Sequence, residues 1–151
     1  MPRAGSMSMN RPAYEGKCHC GAIGFHYATN VIPAEWSIRA CQCRFCLAHD
    51  ALSTSDRTGS IAFVSTDSGR LQRYRFGLKT ADFLLCTNCG VYIGAVIEID
   101  TNRFGIVNTH ALAPTPENIA AMAPICYDGE DTGERVSRRA MHWTPVTSVP
   151  W

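Results

Sequence analysis

Seven of the eight cysteines in this 151-residue chain fall into three tight clusters. They are Cys18-His19-Cys20-Gly21, Cys41-Gln42-Cys43-Arg44-Phe45-Cys46 and Cys86-Thr87-Asn88-Cys89-Gly90, and Cys126 stands apart. Free thiols have no reason to recur at one- and two-residue spacing, whereas that spacing lets neighbouring thiolates curl around one metal at about 2.3 Å. Gly21 and Gly90 follow the outer pairs, and glycine permits the positive-φ turn that aims backbone N–H groups at the sulfurs. Disulfides fit poorly, because cysteines on adjacent turns close strained rings.

Tetrahedral Zn²⁺ takes four ligands in a structural site and three plus an open position in a catalytic one. The cysteines divide in the same way. Cys18, Cys20, Cys86 and Cys89 make a closed four-thiolate site that pins an early strand to a late one and contributes folding energy directly. Cys41, Cys43 and Cys46 then make a second zinc site with one open position, so two zinc ions per chain are expected. The spacing also permits a ribbon-like site from Cys43, Cys46, Cys86 and Cys89, with Cys18, Cys20 and Cys41 as a looser set. Three thiolates on Zn²⁺ carry a formal charge of about −1, which makes a weak Lewis acid but a good holder of an incoming thiol as its thiolate. The chemistry suggested is addition of a thiol to an electrophile, or its reversal at a carbon–sulfur bond.

Around the clusters, short segments rich in β-branched and aromatic residues alternate with Gly, Asn, Asp and Pro, so the chain reads as mainly β. Strands are expected over 22–28, 34–40, 60–65, 71–76, 83–86, 91–99 and 104–108. The nearly apolar run over 91–99 suits a central strand covered on both faces, and Gly94 within it signals a bulge or a close neighbour. Thr115-Pro116 followed by helix formers predicts one short helix through Met122. Over 132–141, a helix would put Arg135, Arg138 and Arg139 on one face, most simply a solvated one. Residues 1–13 read as a flexible tail and 14–151 as a single domain. The formal net charge of +1 gives no electrostatic reason to expect nucleic acid, and the apolar run from Val91 to Ile97 is far too short to cross a bilayer. Neither a secretory signal nor a membrane span is visible, so a cytoplasmic, reducing setting is expected.

At Gly16-Lys17-Cys18-His19-Cys20-Gly21-Ala22-Ile23, the Cys41-x-Cys43-x-x-Cys46 triplet and Cys86-x-x-Cys89-Gly90, the sequence resembles the glutathione-dependent formaldehyde-activating enzyme family. The three motifs come in the family's order over about residues 14 to 110. The resemblance implies a tent-like assembly of small antiparallel β-sheets around a structural zinc, with one or two short helices near the C-terminus. It also implies structural zinc on the outer pairs, a second zinc on the triplet, and a carbon–sulfur lyase activity of the S-(hydroxymethyl)glutathione synthase kind. Glutathione would be cosubstrate or ligand, and an aldehyde or a thiol adduct its partner. Two other readings are a thiol-binding zinc protein without turnover and an interaction module of the centromere protein V type. After the triplet, this chain has Leu47-Ala48-His49-Asp50-Ala51-Leu52 where the family often carries a basic residue and a Ser/Thr-Gly pair.

Among the remaining polar residues, His49 is a candidate catalytic group, since it lies just past the triplet and can approach the open position as a proton acceptor. His49 and Asp50 as a solvated loop pair is the plainer alternative, and His110 reads as a hydrogen-bonded structural histidine. Arg44, inside the triplet, is the candidate to grip a glutathione carboxylate, with Arg135, Arg138 and Arg139 behind it. Cys126 is expected to be a buried thiol, and Trp36, Trp143 and Phe45 core or pocket walls.

Overall fold

The computed structural model describes residues 11–151. Residues 1–10 of the expected tail lie outside them, and the first strand takes up the chain at Ala13. The protein is mainly β, with strands β1 (Ala13–Lys17), β2 (Ile23–Ala28), β3 (Ile38–Cys41), β4 (Ser53–Thr54), β5 (Ser60–Ser65) and β6 (Leu71–Tyr74). They continue as β7 (Asp82–Cys86), β8 (Tyr92–Ile99), β9 (Asn102–Asn108), β10 (Met122–Ile125) and β11 (Thr144–Ser148). Two α-helices, α1 (Arg44–His49) and α2 (Thr132–His142), and three single-turn 3-10 helices, Pro33–Glu35, Ser68–Arg70 and Thr109–Ala111, complete the described elements.

The strands form one open path, β1-β2-β5-β11-β9-β4-β3-β10, from which β8, β7 and β6 branch beside β9. Most ladders are antiparallel, while β10 runs parallel to β3 and β11 parallel to β5. β9 is the junction, since it pairs β8 along one edge and both β4 and β11 along the other.

Two apolar cores lie on the opposite faces of β8, the central strand expected from its unbroken apolar run. One gathers Ile93 and Val96 with Phe25, Tyr27, Trp36, Ile61 and Phe63, and the other gathers Tyr92, Ala95 and Ile97 with Phe83, Phe104 and Trp143. Strict alternation would put Ile93, Ala95 and Ile97 on one face. The face switches because the register with β7 slips between Leu84 and Leu85, which leaves Ile93 as an extra residue opposite that step. Gly94 sits at the slip, where an added Cβ would collide with the Ile106 carbonyl oxygen and lie 3.1 Å from the Phe63 ring. The bulge thus lets one strand serve two cores, and each core contains part of one cysteine cluster: Cys18 and Cys86 in the first, Cys46 in the second.

The helix expected up to Met122 does not form. Asn118 adopts φ 56, which a continuous right-handed helix cannot accommodate, and Met122 already belongs to β10. The C-terminal helix is α2 instead, started by a reciprocal cap in which Glu134 N–H donates to Asp131 Oδ1 at 2.8 Å and Asp131 N–H to Glu134 Oε1 at 2.9 Å. Among the described residues, no helix is long and apolar enough to cross a membrane.

Candidate metal centres

The cysteines come together in two groups, Cys18, Cys20, Cys86 and Cys89 in one and Cys41, Cys43 and Cys46 in the other, with the sulfurs of each group within 4.8 Å of one another. The ribbon-like alternative joining Cys43 and Cys46 to Cys86 and Cys89 is therefore excluded. Its members are separated by the two faces of β8.

Two similar turns build the first group. Cys18 leaves β1 and its N–H donates to the Ile23 carbonyl at 2.9 Å, while Cys86 ends β7 and its N–H donates to the Val91 carbonyl at 3.1 Å. Gly21 and Gly90 close the turns at φ 84 and φ 81, in the left-handed region where a side chain would be strained. Backbone N–H groups then point at sulfur, Ile23 to Cys18 at 3.4 Å and Cys89 to Cys86 at 3.5 Å. The Sγ atoms of Cys18 and Cys20 are 3.7 Å apart, and those of Cys20 and Cys86 3.6 Å. A tetrahedron with metal–sulfur bonds of about 2.3 Å has edges of about 3.8 Å, so the cage is sized for one soft cation. The side chain of Asn88 and then the Ala22 N–H pull the exposed Cys20 thiol down to about 6, whereas burial pushes Cys18 up to about 11.

The second group is built at the junction of β3 and α1. Cys41 ends the strand, Cys43 caps the helix with its sulfur accepting from the Cys46 N–H at 3.4 Å, and Cys46 lies buried in the first turn. A hydrogen bond shared with Cys46 pulls the Cys41 thiol down to about 6, and the same contact, with burial, pushes Cys46 far up. Each group thus includes at least one thiol whose pKa is lowered, Cys20 and Cys89 in the first and Cys41 in the second, which favours capture of a cation.

The second group opens onto a cavity. All three of its cysteines line a small cleft of about 90 Å³ that is open at its mouth. Phe76, Phe83 and Trp143 form apolar wall, and Arg39, Arg135, Arg138 and Arg139 bring four guanidinium groups. The fold is shared with a crystallised protein of Rhodobacter sphaeroides. That protein, a Northeast Structural Genomics target, is 25% identical over 72% of this chain and 99% of its own, with a TM-score of 0.56. No protein-family model and no curated protein matches the sequence.

Several expectations for side chains around the second group change. Arg44 is exposed at the start of α1 and does not line the cleft, because the helix turns it away from the sulfurs. His49 does not line it either. Its ring packs on Phe45 at 4.5 Å and on Tyr92 at 5.8 Å, so it is neither a solvated loop residue nor beside the open face of the cysteines. His110 faces Asp50, Nδ1 to Oδ2 at 3.9 Å. Cys126 is exposed rather than buried, since it follows β10, whose residues are themselves largely exposed.

The basic face of α2 is turned inward rather than solvated. The helix has little apolar surface, and its arginine guanidinium groups lie over aromatic rings, with Arg138 Cζ 3.5 Å from the Tyr127 centroid and Arg139 Cζ 4.7 Å from that of Trp143. Glu130 neutralises two of them, accepting from Arg138 Nε at 2.7 Å and from Arg135 Nε at 3.2 Å. Arg139 is only 7% exposed; burial and then the charges of Arg138 and Arg135 lower it to about 10, which leaves it charged at neutral pH. Its terminal nitrogen donates to Thr80 Oγ1 at 2.6 Å, but its Nε and the Tyr92 hydroxyl are both buried without a partner.

Arg39, not among the arginines expected at the site, carries a signal in the sequence. In β3 the alternation buries Ile38 and Ala40 on one side and puts Arg39 with Cys41 on the other, so an arginine two residues before a metal-site cysteine must share its face. Tyr127 and Asp128 also line the cleft and carry no such signal in the sequence.

Proposed function

We propose that the protein holds two zinc ions and that the zinc on Cys41, Cys43 and Cys46 is the working site of an enzyme acting on glutathione or its adducts. The observation that carries this reading is the unequal surroundings of the two groups: four sulfurs close a cage in one, while three sulfurs face a cleft in the other. Thiolate-only donor sets suit zinc, and the free, clustered cysteines suit a reducing, cytoplasmic setting. Zinc in such a trio holds a thiol as its thiolate and keeps it nucleophilic at neutral pH.

The chain's own residues do the rest. Phe76, Phe83 and Trp143 exclude water from one side of the cleft, and the arginines on its other walls offer charge to an anionic ligand. In the forward direction the glutathione sulfur bonds to the carbonyl carbon of formaldehyde, and the thiol proton ends on the former carbonyl oxygen. The reverse breaks that carbon–sulfur bond, so neither direction needs an oxidant or a reductant. A buried phenol with no partner, Tyr92, neighbours these thiols, whose charges help to raise its pKa after burial itself.

The test mixes zinc-loaded protein with glutathione and formaldehyde and follows S-(hydroxymethyl)glutathione against the spontaneous rate. Acceleration that Cys43→Ser abolishes supports the enzyme. Glutathione binding with proton release but without acceleration reduces the site to a thiol-binding one, and absence of binding removes the thiol reading altogether.

A further inference from the structure

The cleft beside the three cysteines carries more positive charge than its fold requires. Two of its four arginines, Arg135 and Arg138, are paired with Glu130. The other two, Arg39 and Arg139, have no carboxylate partner among the described residues. Arg39 donates to the Ser55 hydroxyl at 2.9 Å and Arg139 to the Thr80 hydroxyl at 2.6 Å, so each makes one neutral hydrogen bond from a group with five donors. Arg139 is 7% exposed and its Nε is buried with no acceptor at all. Leaving a buried charged donor unmet is costly, and an anion against the part of the guanidinium that lines the cleft would offset that cost.

Charge points the same way. Four guanidinium groups stand against Glu130, Asp128 and a trithiolate zinc of about −1, so the cleft keeps a net positive charge even with its metal in place. Its two ends differ in chemistry: soft sulfur on one wall, and planar guanidinium forks, which match a carboxylate, on the others.

We propose that Arg39 and Arg139 form a carboxylate-binding subsite beside Cys41, Cys43 and Cys46, so that the ligand of the cleft is a thiol that also bears a carboxylate. The proposal rests on the thiol-site reading for the ligand's sulfur, but the subsite itself stands on the two unpaired guanidinium groups. It assigns anion recognition to β3 and α2 and removes it from Arg44, which lies outside the cleft.

Calorimetry on the zinc-loaded full chain tests it with three probes: 3-mercaptopropionate, the uncharged 3-mercaptopropionamide, and propionate, which has no thiol. Charge-assisted hydrogen bonds predict that wild type favours the acid over the amide by about tenfold or more. Arg39→Gln should erase most of that preference while leaving amide affinity unchanged, Arg139→Lys should reduce it, and Arg44→Ala should keep it. Should Arg139→Lys fail to fold, the wild-type comparison and Arg39→Gln still decide. Equal affinity for acid and amide in wild type overturns the subsite, as does a preference that survives in Arg39→Gln. If neither thiol binds, the thiol reading fails by itself. In that case propionate binding weakened by Arg39→Gln still supports the subsite, and no propionate binding overturns it.

Discussion

Replacing Cys20 by serine isolates the contribution of the four-sulfur site, because Cys20 is exposed and its loss opens no cavity. A metal held by this group links Cys20 to Cys86 across 66 residues. Treated as a cross-link, it removes about 4.4 kcal/mol of chain entropy from the unfolded state. The three-cysteine group spans only Cys41 to Cys46 within one strand end and one helical turn, and the same relation gives about 2 kcal/mol there. Cys20→Ser should therefore cost about 2 kcal/mol more than Cys43→Ser, or roughly 4–8 °C in Tm for a domain of this size. Thermal unfolding of both variants and wild type, each zinc-loaded and followed by circular dichroism, measures the difference. Equal losses, or a larger one for Cys43→Ser, would refute the assignment of the fold-closing role to the first group.

Two other outcomes follow from the geometry. Gly94→Ala pushes a Cβ onto the Ile106 carbonyl, a backbone atom held in the β8–β9 ladder, so it should lower stability by about 1–3 kcal/mol in chemical unfolding; an unchanged midpoint would remove the close-approach argument. Hydrogen bonds from Arg138, outweighing burial, hold the Glu130 carboxyl below its ordinary value of 4.5, so its stabilising effect is complete above that value and fades as pH falls through the depressed one. Wild type should thus unfold at a higher temperature than Glu130→Gln at pH 7, and the two melting curves should converge as the solution is acidified. A gap that persists undiminished in acid would mean that the pairing is not its source.

Much of this arrangement is legible in the chain itself. The β-branched run Ser60–Ser65 is a strand with the expected bounds, and the apolar stretch ending at Ile99 is the central strand, with its bulge at Gly94. Cluster membership follows from ligand counting, since two pairs each trailed by glycine make equivalent turns. Other parts resist reading for physical reasons. β4 has two residues and exists only because β3 and β9 flank it. β10 is exposed, contains Pro124 and is held by β3 alone, so its sequence carries no alternation to read. The helical signals at Thr115-Pro116 are local and lose to Asn118 in the left-handed region. The inward turn of the α2 arginines depends on Tyr127, Glu130 and Trp143 closing around them, a tertiary arrangement that a charged helix face does not announce.

Two unequal metal sites in one chain, one closed and one open to the cleft, imply release of metal in two steps. Metal analysis of zinc-reconstituted protein during slow chelation tests it most directly, with the cysteines freed at each stage identified by alkylation and mass spectrometry. Two zinc ions per chain are expected, the first released with alkylation of Cys41, Cys43 and Cys46 while the fold persists, the second with alkylation of Cys18, Cys20, Cys86 and Cys89 as the protein unfolds. One zinc per fully loaded chain, or simultaneous release from both groups, would contradict it.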